Sequence, residues 1–419
     1  MYTTAVLAVL PKSWPRSCAW VLLAGLVATT APAGAGARFS AIETRTVAEG
    51  ETARESASSN YVKPHWSPEA RMLSFETLKD QQRRLFVYDA AKGAANEVVS
   101  TASSSSSSPF LPGSRRSSRA VANFDLTWAR SGSGFFAYVG SGSQGYFGLY
   151  YMDPLQKGWG DFWAIVGGEP GDPYVALPDF HPKYDYLVYC QGEMIESEAD
   201  ARLEMHGLES LPKLKGKQTR GQRLSNRQEL PQLDPSFSPA GSEIVFTGID
   251  RGNNDIYKTS INVTGNADGS VRRVAPGQIV QLTRFPTPEG KATWSPDGRL
   301  IAFLSGQGEN KNEWGLWVMN ADGTNQRKLV NRVLDEDAPE WHPDGEHLFF
   351  VRILEEEQNP IQFVNVKTNE LGTLLADTAL HTHLDISADG SQIAFCARGQ
   401  RDDKNLTWLK LYVAKLVKR

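Results

Sequence analysis

Cysteine, long apolar runs and net charge are all scarce in this chain, and each shortage removes a class of protein. Three cysteines in 419 residues cannot build the disulfide framework of a small secreted module. The longest apolar run, Ala19 to Val27, is too short to span a bilayer comfortably. A formal net charge of -4 supplies no field for nucleic acid or an anionic membrane surface. Helical periodicity is nearly absent, which removes bundles and parallel α/β folds. Catalytic signatures are missing too. No G-x-S-x-G elbow occurs; Val139 to Gly145, VGSGSQG, lacks the glycine two positions before Ser143. There is no P-loop, dinucleotide fingerprint or calcium loop.

What is present begins with a targeting pattern. Lys12 and Arg16 precede the apolar run, and the small-residue stretch TTAPAGAGA follows it. Residues 1–37 are therefore expected to be a secretory signal peptide, cleaved after Ala33 or near Ala35 to Ala37, giving a periplasmic or secreted protein. Cys18 lies ahead of the apolar run, which argues against a lipid-anchored cysteine. Cys190 and Cys396 remain in the mature chain, in the same slot of two different repeats, and read as small buried hydrophobes.

The rest of the chain, 38–419, repeats. A Trp or large apolar residue precedes a tight turn at Trp66, Trp128, Phe180, Phe237, Trp294, Trp341 and Ile386, at intervals of 45 to 62 residues. Seven residues beyond each anchor the chain is apolar: Leu73, Phe135, Leu187, Ile244, Ile301, Leu348 and Ile393. Nine beyond, it is aromatic in every copy except the second, which has Ala137. These two positions share one face of a strand, so that face is buried. Proline and glycine recur between anchor and strand, as in Pro296 and Gly298, and set the φ values a tight turn requires.

Third strands follow at Arg83 to Ala90, Tyr146 to Asp153, Asn254 to Ile261 and Trp314 to Gly323, and fourth strands at Gln278 to Thr283 and Gln326 to Val330. Four antiparallel strands per repeat predict an all-β propeller of seven blades, or six if the degenerate Phe180 or Ile386 copy is discounted. The last blade lacks a fourth strand, which Arg38 to Val47 is expected to supply, removing a frayed edge. The serine-rich stretch 101–120 is expected to be a loop, and 191–233, with its basic KLKGKQTRGQR, a polar insertion between blades.

The segments HWSPEARMLSF, SFSPAGSEIVF, TWSPDGRLIAF, EWHPDGEHLFF and DISADGSQIAF resemble the TolB-type propeller repeat over roughly Ser59 to the C-terminus. In TolB the propeller follows a separate α/β domain and works in the periplasm with other envelope proteins. The first anchor here arrives at Trp66, which leaves no room for that domain after a signal peptide. Similar repeats occur in the propellers of prolyl-oligopeptidase-like peptidases and oligogalacturonate lyases, so the repeat does not name a function.

Residues just before the anchors sit on each blade's innermost strand and should line the channel. Asp125, Asp179, Asp234, Lys291, Glu340 and Asp385 are the candidate binding residues, forming a mostly acidic funnel suited to a cationic peptide, a polar saccharide or a metal ion. The leading expectation is an exported, non-enzymatic scaffold, monomeric, cofactor-free and without a membrane span once the leader is removed, that binds a protein or peptide of the cell envelope. The alternative is a metal-dependent polysaccharide lyase. Resemblance to the oligogalacturonate lyases, which use a histidine-rich metal site, implies His65, His381 and His383 as its ligands. A third reading, carbohydrate binding, would stack sugars on Tyr146, Phe147, Trp159 or Trp163.

Overall fold

The computed structural model describes residues 38–49, 63–79, 82–100, 125–128, 136–141, 147–152, 163–167, 174–193, 202–209, 221–224, 230–267, 270–307, 313–335, 338–354, 359–376, 380–398 and 409–419. The leader, the serine-rich stretch 101–120 and the aromatics Tyr146 and Trp159 lie outside these residues. So do the side chains of Phe147 and Trp163. The described residues contain strands and turns and no helix.

Among the described residues, twenty-eight strands form seven four-stranded antiparallel sheets, one per anchor. The innermost strands, in blade order, are His65–Trp66, Asp125–Trp128, Tyr174–Phe180, Gln232–Phe237, Glu289–Trp294, Glu340–Trp341 and Leu380–Ile386. Each touches the next, and the seventh touches the first, so the blades close into a ring. All seven anchors are buried, as are the described residues seven and nine positions beyond them.

Both faces of a blade are buried, and this explains the unbroken apolar runs. Trp341, Leu348 and Phe350 of blade 6 pack on Ala302 and Leu304 of blade 5. The alternate residues Phe349 and Val351 pack on Ile386, Ile393 and Phe395 of blade 7. Each core is therefore shared by two blades. Cys190 and Cys396 are free and buried in blades 3 and 7.

Phe39–Glu49 pairs with Leu409–Lys418 as the outermost strand of blade 7, so the start of the propeller completes its last blade. Arg38 and Arg419 exchange backbone hydrogen bonds of 3.0 and 2.7 Å. Phe39 packs edge-on against Phe349, Phe363, His342 and His347 of blade 6.

One expectation is corrected. The stretch 191–233, read as a polar insertion, carries the outer half of blade 3: strands Arg202–Glu209 and Gln222–Arg223. An outer strand needs few apolar residues, and here Met205 and Leu208 suffice to bury it among charged neighbours.

Candidate functional site

The motif serine has a local job. Its Oγ accepts the backbone N–H five residues on, from Met72 to Ser67 at 3.0 Å, Glu243 to Ser238 at 3.1 Å, Leu300 to Ser295 at 2.9 Å and Gln392 to Ser387 at 2.9 Å. This bond ties the turn to the second strand. In blade 3 His181 takes the serine's place. Its Nδ1 accepts from Lys183 and Tyr184, while Nε2 lies 3.1 Å from the Gly241 carbonyl in the next blade's turn.

Anchors and their predecessors then stitch blade to blade. The indole N–H groups of Trp128, Trp294 and Trp341 donate to the carbonyls of His65, Ser236 and Thr293 in the preceding blades, at 2.9, 3.2 and 3.4 Å. Carboxylates at the position before the anchor work in the opposite direction. Asp179 accepts the backbone N–H of Phe237 at 2.7 Å, and Asp385 that of Trp66. These groups hold the inner rim of the ring.

Inside that rim lies a cavity of about 420 Å³ to which every blade contributes. The residue three before the anchor lines it in six blades: Lys63, Leu177, Asp234, Lys291, Ala338 and His383. The residue one before lines it at His65, Thr127, Asp179, Ser236, Thr293 and Glu340. Asp179, Ser236, Thr293 and Glu340 also border a second cavity of about 420 Å³, walled by anchors and turn prolines such as Pro239 and Pro296. These four residues are common to the walls of the two chambers.

Of the candidates, Asp179, Asp234, Lys291 and Glu340 thus share one cavity with His65 and His383. Asp385 faces the joint with blade 1, and Asp125 lies on the innermost strand of blade 2 with its side chain outside the described residues. His381 is fully buried, with Nδ1 2.7 Å from the Asn359 carbonyl and its ring against Phe395. Among the described residues no three His, Cys, Asp or Glu side chains are grouped so as to hold a metal ion. Lys63, the counterpart of Asp234 and Lys291 in blade 1, lines the cavity too, although it precedes the two-residue strand His65–Trp66 and so carries no strand signal of its own in the sequence.

Backbone geometry adds a feature that no spacing reveals. Leu177, Asp234, Lys291 and His383 have positive φ, at 55, 49, 54 and 46°. All four are the third residue before an anchor. Each coincides with a register shift in the pairing of the innermost strand. The pleat is therefore broken by the same bulge in four blades, and bulges of this kind redirect a side chain.

No family model matches the chain. A 71-residue stretch is 35% identical to the Tol-Pal system protein TolB of Alcanivorax borkumensis, covering 17% of this chain and 16% of that one. TolB of Anaeromyxobacter sp. strain K is 34% identical over 118 residues, 28% of this chain and 23% of its own. The matches thus span less than a quarter of these relatives. Among solved structures, an oligogalacturonate lyase in complex with manganese superimposes with a TM-score of 0.57 at 12% identity, covering 90% of this chain and 98% of that one. At that identity the likeness is one of fold. Repeat, ring and local sequence identity agree that the chain is a TolB-like β-propeller.

Proposed function

We propose that this protein is an exported, non-enzymatic propeller whose central cavity is a rigid binding platform for a protein or peptide of the cell envelope. One observation carries the reading: all seven innermost strands line one cavity, and its wall carries both acidic groups, Asp179, Asp234 and Glu340, and basic ones, Lys63 and Lys291. Rigidity comes from the rim, where indole and carboxylate bonds fix each blade to the next. A preorganised wall loses little entropy when a partner binds. Export rests on residues 1–37, read as a leader.

A photo-crosslinking residue at Thr127, expressed in envelope-bearing cells, tests the platform. An adduct of one defined mass, lost when Asp234→Lys and Lys291→Glu reverse the wall, supports it. No adduct, together with unsaturated product released from oligogalacturonate in the presence of manganese, would replace it with the lyase reading. A metal enzyme would have to recruit a ligand besides His65 and His383, because His381 is buried against Phe395.

A further inference from the structure

In a propeller blade the two faces of every strand are covered by neighbouring blades. A side chain reaches the central cavity most directly where the pleat is broken. The four bulges do this at a cost, because an L-residue with positive φ brings its Cβ against the carbonyl. Glycine is the usual remedy. This sequence uses glycine freely at positive φ in the turns of the same repeats, at Gly241, Gly298, Gly345 and Gly390. At the bulges it keeps Leu177, Asp234, Lys291 and His383 instead. The side chains, rather than the backbone path, account for that choice.

Asp234 and Lys291 stand apart from the other charged residues at the rim. Asp179 and Asp385 bond the next blade, whereas neither Asp234 nor Lys291 makes a side-chain hydrogen bond or ion pair with a described residue. Both are partly exposed and line the cavity from equivalent positions of adjacent blades. One carries a carboxylate, the other an ammonium.

We propose that Asp234 and Lys291 are the recognition pair of the central cavity and that they hold a small zwitterion, its ammonium on Asp234 and its carboxylate on Lys291. The inference rests on the cavity being the binding site, as proposed above, and adds the ligand class and the residues that read it. The volume suits it: about 420 Å³ is within the range of small-molecule sites. Leu177, on the bulge of blade 3, offers an apolar surface to the same chamber, and His383, on that of blade 7, a further polar group.

The test uses calorimetric titration of the whole protein with alanyl-alanine, its N-acetyl derivative and its amide, followed by thermal unfolding of four variants. Alanyl-alanine should bind, and blocking either end should weaken it at least tenfold, as expected for loss of a charged hydrogen bond. Asp234→Gly, Asp234→Ala, Lys291→Gly and Lys291→Ala should all lose that binding. Each glycine variant should nevertheless melt about 2 °C above its alanine counterpart, because only the alanine retains the strained Cβ. No binding of alanyl-alanine, or binding indifferent to both blocking groups, overturns the ligand class. Glycine variants that melt below the alanine variants and still bind overturn the assignment of the pair. A crosslinked partner at Thr127 without dipeptide binding would sink this inference and leave the platform intact; dipeptide binding without an adduct would do the reverse.

Discussion

The carboxylate of Asp385, in the last blade, accepts the backbone N–H of Trp66, in the first, across 319 residues of sequence. Asp179 makes the equivalent bond to Phe237 between blades 3 and 4. Removing either acceptor leaves a backbone donor at the rim without that partner, at about 1–3 kcal/mol. Urea denaturation of Asp385→Ala and Asp179→Ala should show this loss. Asp234→Ala should change stability by no more than about 0.5 kcal/mol. Equal losses in all three would mean that Asp234 is also a rim residue.

Glu289 predicts a pH dependence. It is 1% exposed at the start of blade 5's innermost strand, and burial together with the neighbouring Asp255 carboxyl pushes it up to about 8, against a bond from Ser305. The folded protein therefore holds this proton where the unfolded chain, with an ordinary value of 4.5, releases it. Its contribution is complete below about 4.5 and is lost as pH rises through about 8. Glu289→Gln, which cannot ionise, should flatten the stability profile between those limits and be more stable than the parent at pH 9. An unchanged slope would place the proton elsewhere.

Asp344 predicts the opposite sign. Burial alone would raise its carboxyl, but hydrogen bonds from His342, His347 and Lys418 prevail and hold it well below the ordinary 3.8. Its contribution is present above that value and declines as pH falls below it. Lys418 belongs to blade 7 and the other three to blade 6, so the cluster pins the closing blade to its neighbour. Asp344→Asn should cost about 2 kcal/mol at pH 7, and the gap between variant and parent should narrow only below about pH 4. A gap that persists unchanged at pH 2 would assign the loss to packing.

Gly241 turns at a φ of 72°, and a Cβ there would lie 2.3 Å from Nε2 of His181 in the preceding blade. Gly241→Ala should therefore cost about 1–2 kcal/mol from the backbone alone, with a further loss from the displaced ring. Adding His181→Ala should recover the second part and not the first. Complete rescue in the double variant would show that the backbone tolerates alanine there.

Much of the fold could be read from residues because a propeller blade repeats its own chemistry. Blade 5 shows the pattern: Ile301 and Phe303 lie on one face of the second strand and Ala302 and Leu304 on the other, and all four are buried. Outer strands were harder. Leu203 and Met205 alternate with Arg202, Glu204 and His206, and a basic stretch follows at Lys213 to Arg223, so in sequence Arg202–Glu209 resembles part of a polar insertion. The acidic rim also looked uniform in sequence. Asp179, Asp234 and Asp385 are the same residue type within three residues of an anchor, yet Asp179 and Asp385 bond the next blade, whereas Asp234 lines the cavity without such a bond.

Sequence alone determined the number of anchors, the buried faces and the strand that closes the ring, because those follow from side-chain period and turn chemistry, which are local. Tertiary structure decided which polar residues are structural and which are available. That depends on the neighbouring blade's backbone, which supplies the N–H groups Asp179 and Asp385 bind, and on the positive-φ bulges, which turn Asp234 and Lys291 into the cavity. Neither is encoded in spacing, since a bulge is set by how a strand must bend to meet six others around one axis.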